Sequence, residues 1–311
     1  MQMKWLVVLD PLDGLISRTD TSLAVITRAR REGIEVDTAT IEELYFEEQA
    51  QVRATGADGE TEPRVLGGYD LIFMRKEPPY DMRFHYATHL LSLGNTLVLN
   101  SPSALRDFNE KLIVLPFAKY MPPTLVASDQ SVIGDFINRH TKVVVKSLDS
   151  FQGKSVQMLT EEDTEVLSSL TGGGTRPVMV QKFLEQVYDG DKRVITIGDQ
   201  VAGAALRKPK QGYHANFANS EALKTRLSER EQAAMDELCP WMVSQGIHFS
   251  GLDFIGGYLT EINITCPTGI VQISELEDRD LAGEIVDYFS QLVSCLLYTS
   301  PSPRDRTHHL V

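Results

Sequence analysis

A strand–helix–strand run at the start of the chain limits the fold more than any other feature. Lys4 to Asp10 (KWLVVLD) is a short apolar run ending in Asp-Pro, which reads as a buried strand followed by a turn. Thr21 to Glu32 then alternates apolar and polar residues at helical spacing and stops at Gly33. Ile34 to Ile41 (IEVDTATI) alternates with period two, as a strand should. Strand, helix and strand at this spacing argue for a parallel α/β unit. The pattern continues with a buried strand at Tyr69 to Arg75, a helix at Phe84 to Leu93 stopped by Gly94, and a strand at Thr96 to Asn100. Gly56 to Pro63 (GADGETEP) is a polar loop or hairpin tip.

The second half reads differently. MPPT, near Tyr120 to Thr124, breaks any helix and marks a boundary. A helix (Gln130 to Arg139), the strand KVVVK (Lys142 to Lys146), a loop with one glycine and the strand KSVQML (Lys154 to Leu159) follow. Next come a helix (Glu161 to Leu170), a Gly-rich turn (Gly172 to Gly174) and the strand VMVQKF (Val178 to Phe183). Arg193 to Arg207 reads as a hairpin turning at Gly198-Asp199, and Lys208 to Lys224 as a polar irregular stretch. Ser228 opens a helix through about Gln245, with Glu231 in capping-box spacing. Phe249 to Asn263 is a second hairpin, and the last helix runs from Asp280 to about Ser294. The expected class is α/β: a small parallel α/β domain over residues 1–121, then an α+β region over residues 122–294 with mixed antiparallel sheet. From Cys295 the sequence CLLYTSPSPRD resembles a translated sequencing adapter, so residues 295–311 read as an adapter-derived or disordered tail and are left out of the fold.

Composition excludes several classes. The 311 residues are 42% hydrophobic and 23% charged, enough for a large core. The net charge is −13 and no basic run occurs, which argues against a nucleic-acid partner. Three cysteines without metal-type spacing make no disulfide framework and fit a reducing cytoplasm. No stretch of about 18 apolar residues exists, so no transmembrane helix is expected.

Chemistry concentrates in the second half. Asp253 lies on one strand of the second hairpin, and Glu261 and Asn263, two apart on the next, face one side. Three oxygen-bearing side chains on one sheet face suit Mg²⁺, while a solvated strand face is the plainer reading. The flanking Leu252, Phe254, Ile255, Ile262 and Ile264 favour burial, and a buried carboxylate needs a partner or a metal. Lys146 closes a buried strand just before Gly153, a place to meet phosphate, or it is an ordinary charged strand end. Lys111 reads most simply as an exposed helix lysine. Gln181 to Val194 leaves a strand for a loop dense in charge, and Asp189, Asp191, Lys192 and Arg193 could form a plain polar turn. Arg207 ends an apolar strand and could clamp a phosphate or carboxylate. His85 and His89, at helical i, i+4 spacing without an acidic third ligand, read as surface or interface residues. Cys266 reads as a small residue packed under a loop. No Ser-His-Asp order, His/Cys metal cluster or Walker-type loop is present.

Several segments together resemble the prokaryotic glutathione synthetases of the ATP-grasp superfamily. They are LDPLDG (Leu9 to Gly14), MRKEPPYD (Met74 to Asp81), YAT (Tyr86 to Thr88), LNSPSALRDFNEKL (Leu99 to Leu112), DGDKRV (Asp189 to Val194) and GLDFIGGYLTEINITCPT (Gly251 to Thr268). They run in family order along nearly the whole chain before the tail. The resemblance implies an ATP-grasp fold preceded by a small parallel α/β domain. It implies ATP-dependent joining of γ-glutamylcysteine to glycine through an acyl-phosphate, in the cytoplasm, by a homotetramer or dimer. Lys111, Lys146 and Gly153 would then meet ATP phosphates, and Gln181, Lys182, Phe183 and Leu184 would hold the adenine. Asp191 and Asn216 would also contact the nucleotide. Asp253, Glu261 and Asn263 would ligate Mg²⁺, with Mn²⁺ as the other ion of that type. Arg193 and Arg207 would stabilise the transferring phosphoryl group and the acyl-phosphate.

Two departures keep alternatives open. The family's K-P-L-D-G-x-G-G loop is here KSLDSFQGKSV (Lys146 to Val156), with Gly153 alone in place of the glycine set. The family's R-G-N-x-x-x-G-G pattern is here HANFANSE (His214 to Glu221), which keeps Asn216 but has His214 where arginine is expected. Lys208 or Lys210 could supply the missing charge. The alternatives are an ATP-grasp carboxylate–amine ligase with another acceptor or dipeptide, and a non-catalytic nucleotide-binding homologue.

Overall fold

A computed structural model describes residues 2–149, 156–210, 212–213, 217 and 219–299. β1 (Lys4–Val8), α1 (Thr21–Arg31) and β2 (Glu35–Ala39) make the expected crossover, and β1 pairs with β2 in parallel. Asp20 starts α1 by accepting from the Leu23 amide at 2.8 Å. β3 (Leu44–Glu47), β4 (Gln49–Thr55) and β5 (Thr61–Val65) form an antiparallel meander whose tip is the polar GADGE stretch. β6 (Leu71–Met74), α2 (Met82–Ser92) and β7 (Leu97–Leu99) return to the parallel pattern. The sheet order is β3-β4-β2-β1-β6-β7 with β5 against β4, so a parallel core carries an antiparallel edge.

After α3 (Pro102–Asp107), two antiparallel sheets follow. The first holds β8 (Thr124–Ala127), β9 (Val143–Ser147), β10 (Val156–Leu159) and β11 (Val178–Lys182) in the order β10-β9-β11-β8, with α4 (Gln130–His140) and α5 (Thr164–Leu170) among them in sequence. The second has the order β14-β13-β12-β15-β16. Its strands are β12 (Asp191–Ile197), β13 (Gln200–Pro209), β14 (Ser220–Lys224), β15 (Phe249–Ile255) and β16 (Tyr258–Asn263). α6 (Glu229–Ser244) precedes β15 and carries the expected capping box between Ser228 and Glu231. α7 (Ile270–Glu277) and α8 (Leu281–Thr299) close the described chain.

Both hairpins read from the sequence are present. β14 lies inside the stretch expected to be irregular, because Lys224 to Ser220 completes the free edge of β13. α7 was not anticipated; its eight residues are too short to show a clear helical period. α8 continues to Thr299 rather than ending near Ser294, so it enters the segment assigned to the tail.

The two halves share a core. Ile285, Val286 and Phe289 of α8 pack with Trp5, Val7 and Val25 of the first half, and Phe289 meets Phe73 edge-on at 5.0 Å between ring centroids. Asn100, just after β7 and only 3% exposed, stitches the parallel sheet to the five-stranded one. Its Nδ2 donates to the carbonyls of Phe249 and Ile264, each at 2.7 Å. Its Oδ1 accepts from the amides of His248 at 2.8 Å and Phe249 at 3.0 Å. Removing the carboxamide strands buried backbone groups, so Asn100→Ala is expected to cost about 3 kcal/mol or more, read as a lower urea midpoint. A loss under about 0.5 kcal/mol would mean that this side chain does not join the two halves.

Candidate active site

Register assembles the site. On β12, Asp191 and Arg193 share one face, and Lys192 leaves by the other. There Lys192 Nζ donates to Glu231 Oε2 at 2.5 Å and to the Arg226 carbonyl at 2.8 Å, a structural pairing away from the site. Across the sheet, Asp191 stands opposite Arg207, Arg193 opposite Asp253, Asp253 opposite Glu261, and Gly251 opposite Asn263. Four adjacent strands thus present one row of charged and amide groups on one face.

The row is tightly paired. Arg193 Nε donates to Asp253 Oδ1 at 2.6 Å, its Nη2 to Oδ2 at 2.9 Å, and its Nη1 to the Thr268 carbonyl at 3.1 Å. Arg207 Nη2 lies 2.7 Å from Asp191 Oδ1 and 3.0 Å from Asp253 Oδ1. Burial alone would push the Asp253 carboxyl up, but the guanidiniums of Arg193 and Arg207 outweigh it and hold Asp253 below the usual carboxylate range. Asp191 goes the other way. Burial, helped by the Asp253 charge, pushes it up to about 6 against the pull of Arg207. Arg207 Nε is buried and has no partner among the described residues. Gly251 makes room for this pairing, since a Cβ there would stand 3.1 Å from Arg193 Cδ and Nη1.

Asn263 Nδ2 donates to the Gly251 carbonyl at 3.2 Å and to Asp253 Oδ2 at 3.3 Å. Glu261 Oε1 lies 3.6 Å from Lys111 Nζ. The reading of Lys111 as an exposed helix lysine is therefore corrected: it sits in a turn and is 6% exposed. Neighbouring Glu110, which the sequence reading did not single out, explains the position. Its carboxylate accepts from the amides of Ile264 at 2.7 Å and Thr265 at 2.8 Å, docking this turn against the strand of Glu261. The plain polar turn at Asp189 to Arg193 is corrected in part. Asp189 is exposed on a turn, but Asp191 and Arg193 are buried on β12.

Lys146 is 8% exposed and donates to the Thr260 carbonyl at 3.2 Å, which joins the two antiparallel sheets. Burial pushes its ammonium down, with Glu261 opposing. The cleft between these sheets is lined by Lys146, Gln181, Lys182, Phe183 and Leu184, together with Tyr213. Gln181 is buried and donates to Thr124 Oγ1 at 3.1 Å; Lys182 is exposed; Phe183 lies under Lys142 Nζ, 4.3 Å from its ring centroid. Gly153 and Asn216 fall outside the described residues, as does His214. Lys208 follows Arg207 on β13 and is exposed, so it leaves by the opposite face.

The remaining candidates stand apart. Cys266 Sγ donates to the Arg75 carbonyl at 3.2 Å, and burial pushes its thiol up to about 12, which makes it a packed rather than a reactive cysteine. His85 and His89 meet at 3.2 Å between Nε2 atoms. Among the described residues no three His, Cys, Asp or Glu side chains converge to hold a metal. No described helix is long and apolar enough to cross a membrane.

Comparison with known proteins bears on this geometry. The family model of the prokaryotic glutathione synthetase N-terminal domain matches residues 3–106, and that of the ATP-grasp domain matches residues 110–278. A glutathione synthetase of Gloeobacter violaceus is 37% identical over 96% of this chain and 98% of that protein. One from Parasynechococcus marenigrum is 36% identical over 94% of this chain and 100% of that protein. Among solved structures, a D-cycloserine synthetase superposes with a TM-score of 0.71 at 16% identity, covering 93% of this chain and 99% of that one. The ATP-grasp ligase PsnB with its minimal precursor superposes at 0.66 and 19% identity, covering 94% and 99%. These likenesses show the ATP-grasp fold. With the sequence relatives and both family models, they place the chain in the prokaryotic glutathione synthetase family of ATP-dependent ligases.

Proposed function

We propose that the row from Arg207 to Asn263 is the catalytic centre at which this glutathione synthetase joins γ-glutamylcysteine to glycine. The observation that carries the assignment is the buried Asp253 carboxylate, held by Arg193 and Arg207 beside Glu261 and Asn263. Two carboxylates and a carboxamide on one sheet face fit a hard cation that also takes phosphate oxygens, so Asp253, Glu261 and Asn263 would hold Mg²⁺, or Mn²⁺ in its place. Bound there, the ion would neutralise charge on the phosphates.

The chain's own groups do the rest. Lys111 and Lys146 stand near Glu261 and would meet the triphosphate of ATP. Gln181, Lys182, Phe183 and Leu184 line the cleft that would take the adenine. Arg207 Nε, without a hydrogen-bond partner among the described residues, would offer one buried N–H to an anionic oxygen of the ligand, and Asp191 keeps that guanidinium oriented. A carboxylate oxygen of the dipeptide attacks the terminal phosphorus and ADP leaves. The glycine amine then attacks the acyl carbon, phosphate leaves, and the amine proton passes to solvent. No protein nucleophile is needed; positioning and charge neutralisation suffice. By the resemblance, Gly153 and Asn216 would add nucleotide contacts. The same reading divides the chain at about residue 121. It makes the protein a cytoplasmic dimer or tetramer with neither nucleic-acid nor membrane partners, and the net charge of −13 supports the first exclusion.

Glu261→Gln is expected to lower ADP release at least about 100-fold with little change in melting temperature, because its side chain is not deeply buried. Unchanged release would contradict the assignment. Asp253→Asn leaves the buried Arg193 guanidinium without its anion and Arg207 with Asp191 alone, and is expected to cost about 3–5 kcal/mol of stability as well as activity. The two variants thus separate catalysis from folding. Below about pH 6 Asp191 is protonated and Arg207 loses a charged partner, so the rate is expected to fall as pH drops through that value. Asp191→Asn should lack that acid limb; a limb that persists in the variant would assign it to another group.

A further inference from the structure

We propose that Tyr213 is the outer wall of the nucleotide cleft and contacts the base, making it a nucleotide-positioning residue supplied by the segment that follows β13. The proposal rests on the assignment of that cleft to ATP. β10 is at the edge of its sheet, so among the described residues the amide of Met158 has no strand partner on its open side. That amide donates to Tyr213 Oη at 3.3 Å, which ties the ring to the edge of the four-stranded sheet. The ring stands edge-on to Phe183, 5.9 Å between centroids and 83° between planes. The same cleft is lined by the apolar Pro122, Val144, Val156, Leu184, Val187 and Ile255, and by the polar Lys146, Gln181, Lys182 and Thr260.

A cleft with a largely apolar lining, two aromatic rings and an amide side chain suits a planar purine. Lys146, a buried cation on the same lining, is the group to meet phosphate charge. Tyr213 packs on Phe183 and is assigned to the base with it. Its hydroxyl serves the protein, by holding the Met158 amide, and its ring serves the ligand.

The test uses the full chain and calorimetric titration with two probes, Mg-ATP and Mg-tripolyphosphate, the second lacking a base. Tyr213→Ala is expected to weaken Mg-ATP binding about tenfold and to raise KM for ATP with it. Tripolyphosphate binding should stay unchanged, which also shows that the variant is folded. Tyr213→Phe keeps the ring and should stay within about threefold of the unaltered chain. Equal ATP affinity in Tyr213→Ala would overturn the proposal, as would equal weakening of both probes. If the unaltered chain bound neither probe, the nucleotide assignment beneath the proposal would fall instead.

Discussion

Asp253 is buried in a sheet where an isolated carboxylate would be costly, and the pairing that makes it tolerable organises the site. Arg193 grips both of its oxygens, and Arg207 reaches one of them from the next strand. Those contacts require β12 to stand between β13 and β15 in one register. They also require Gly251, where any side chain would push on the Arg193 stem. A buried charge network of this kind is poor evidence of net stability. Its presence is better explained by what it holds ready: a carboxylate kept ionised, and two guanidiniums fixed before any ligand arrives.

The rest of the chain delivers the remaining groups to that row. Asn100 bonds the end of the parallel sheet to the backbone at the start of β15 and just past β16. Glu110 fastens the turn of Lys111 to the segment after β16, which brings the lysine to Glu261. Lys146 crosses from the four-stranded sheet to the Thr260 carbonyl. The first half of the chain and the four-stranded sheet therefore each bring a buried lysine to the charged row of the five-stranded sheet.

How much of this was legible follows from the range of each interaction. The two hairpins were readable because period-two apolar strands and the Gly198-Asp199 turn are local signals. The trio Asp253, Glu261 and Asn263 was readable as one face because strand geometry fixes it. The β3–β5 meander was mostly missed, since its strands are partly exposed and rich in polar residues, which blurs alternation. The burial of Lys111 was misread because it depends on Glu110 meeting residues more than 150 positions away. Asn100 was passed over for the same reason: its partners lie 148 to 164 residues away. Tyr213 sits in a stretch read as irregular, where no local pattern announces a contact with β10 or Phe183.

The most direct test of the central claim is ADP release by the purified chain with Mg-ATP, γ-glutamylcysteine and glycine, each omitted in turn, with the product read by mass spectrometry. The account predicts full turnover only when all components are present, with glutathione as the product. Release that needs the dipeptide but not glycine would contradict the assigned acceptor. No release despite tight ATP binding would contradict the catalytic assignment itself.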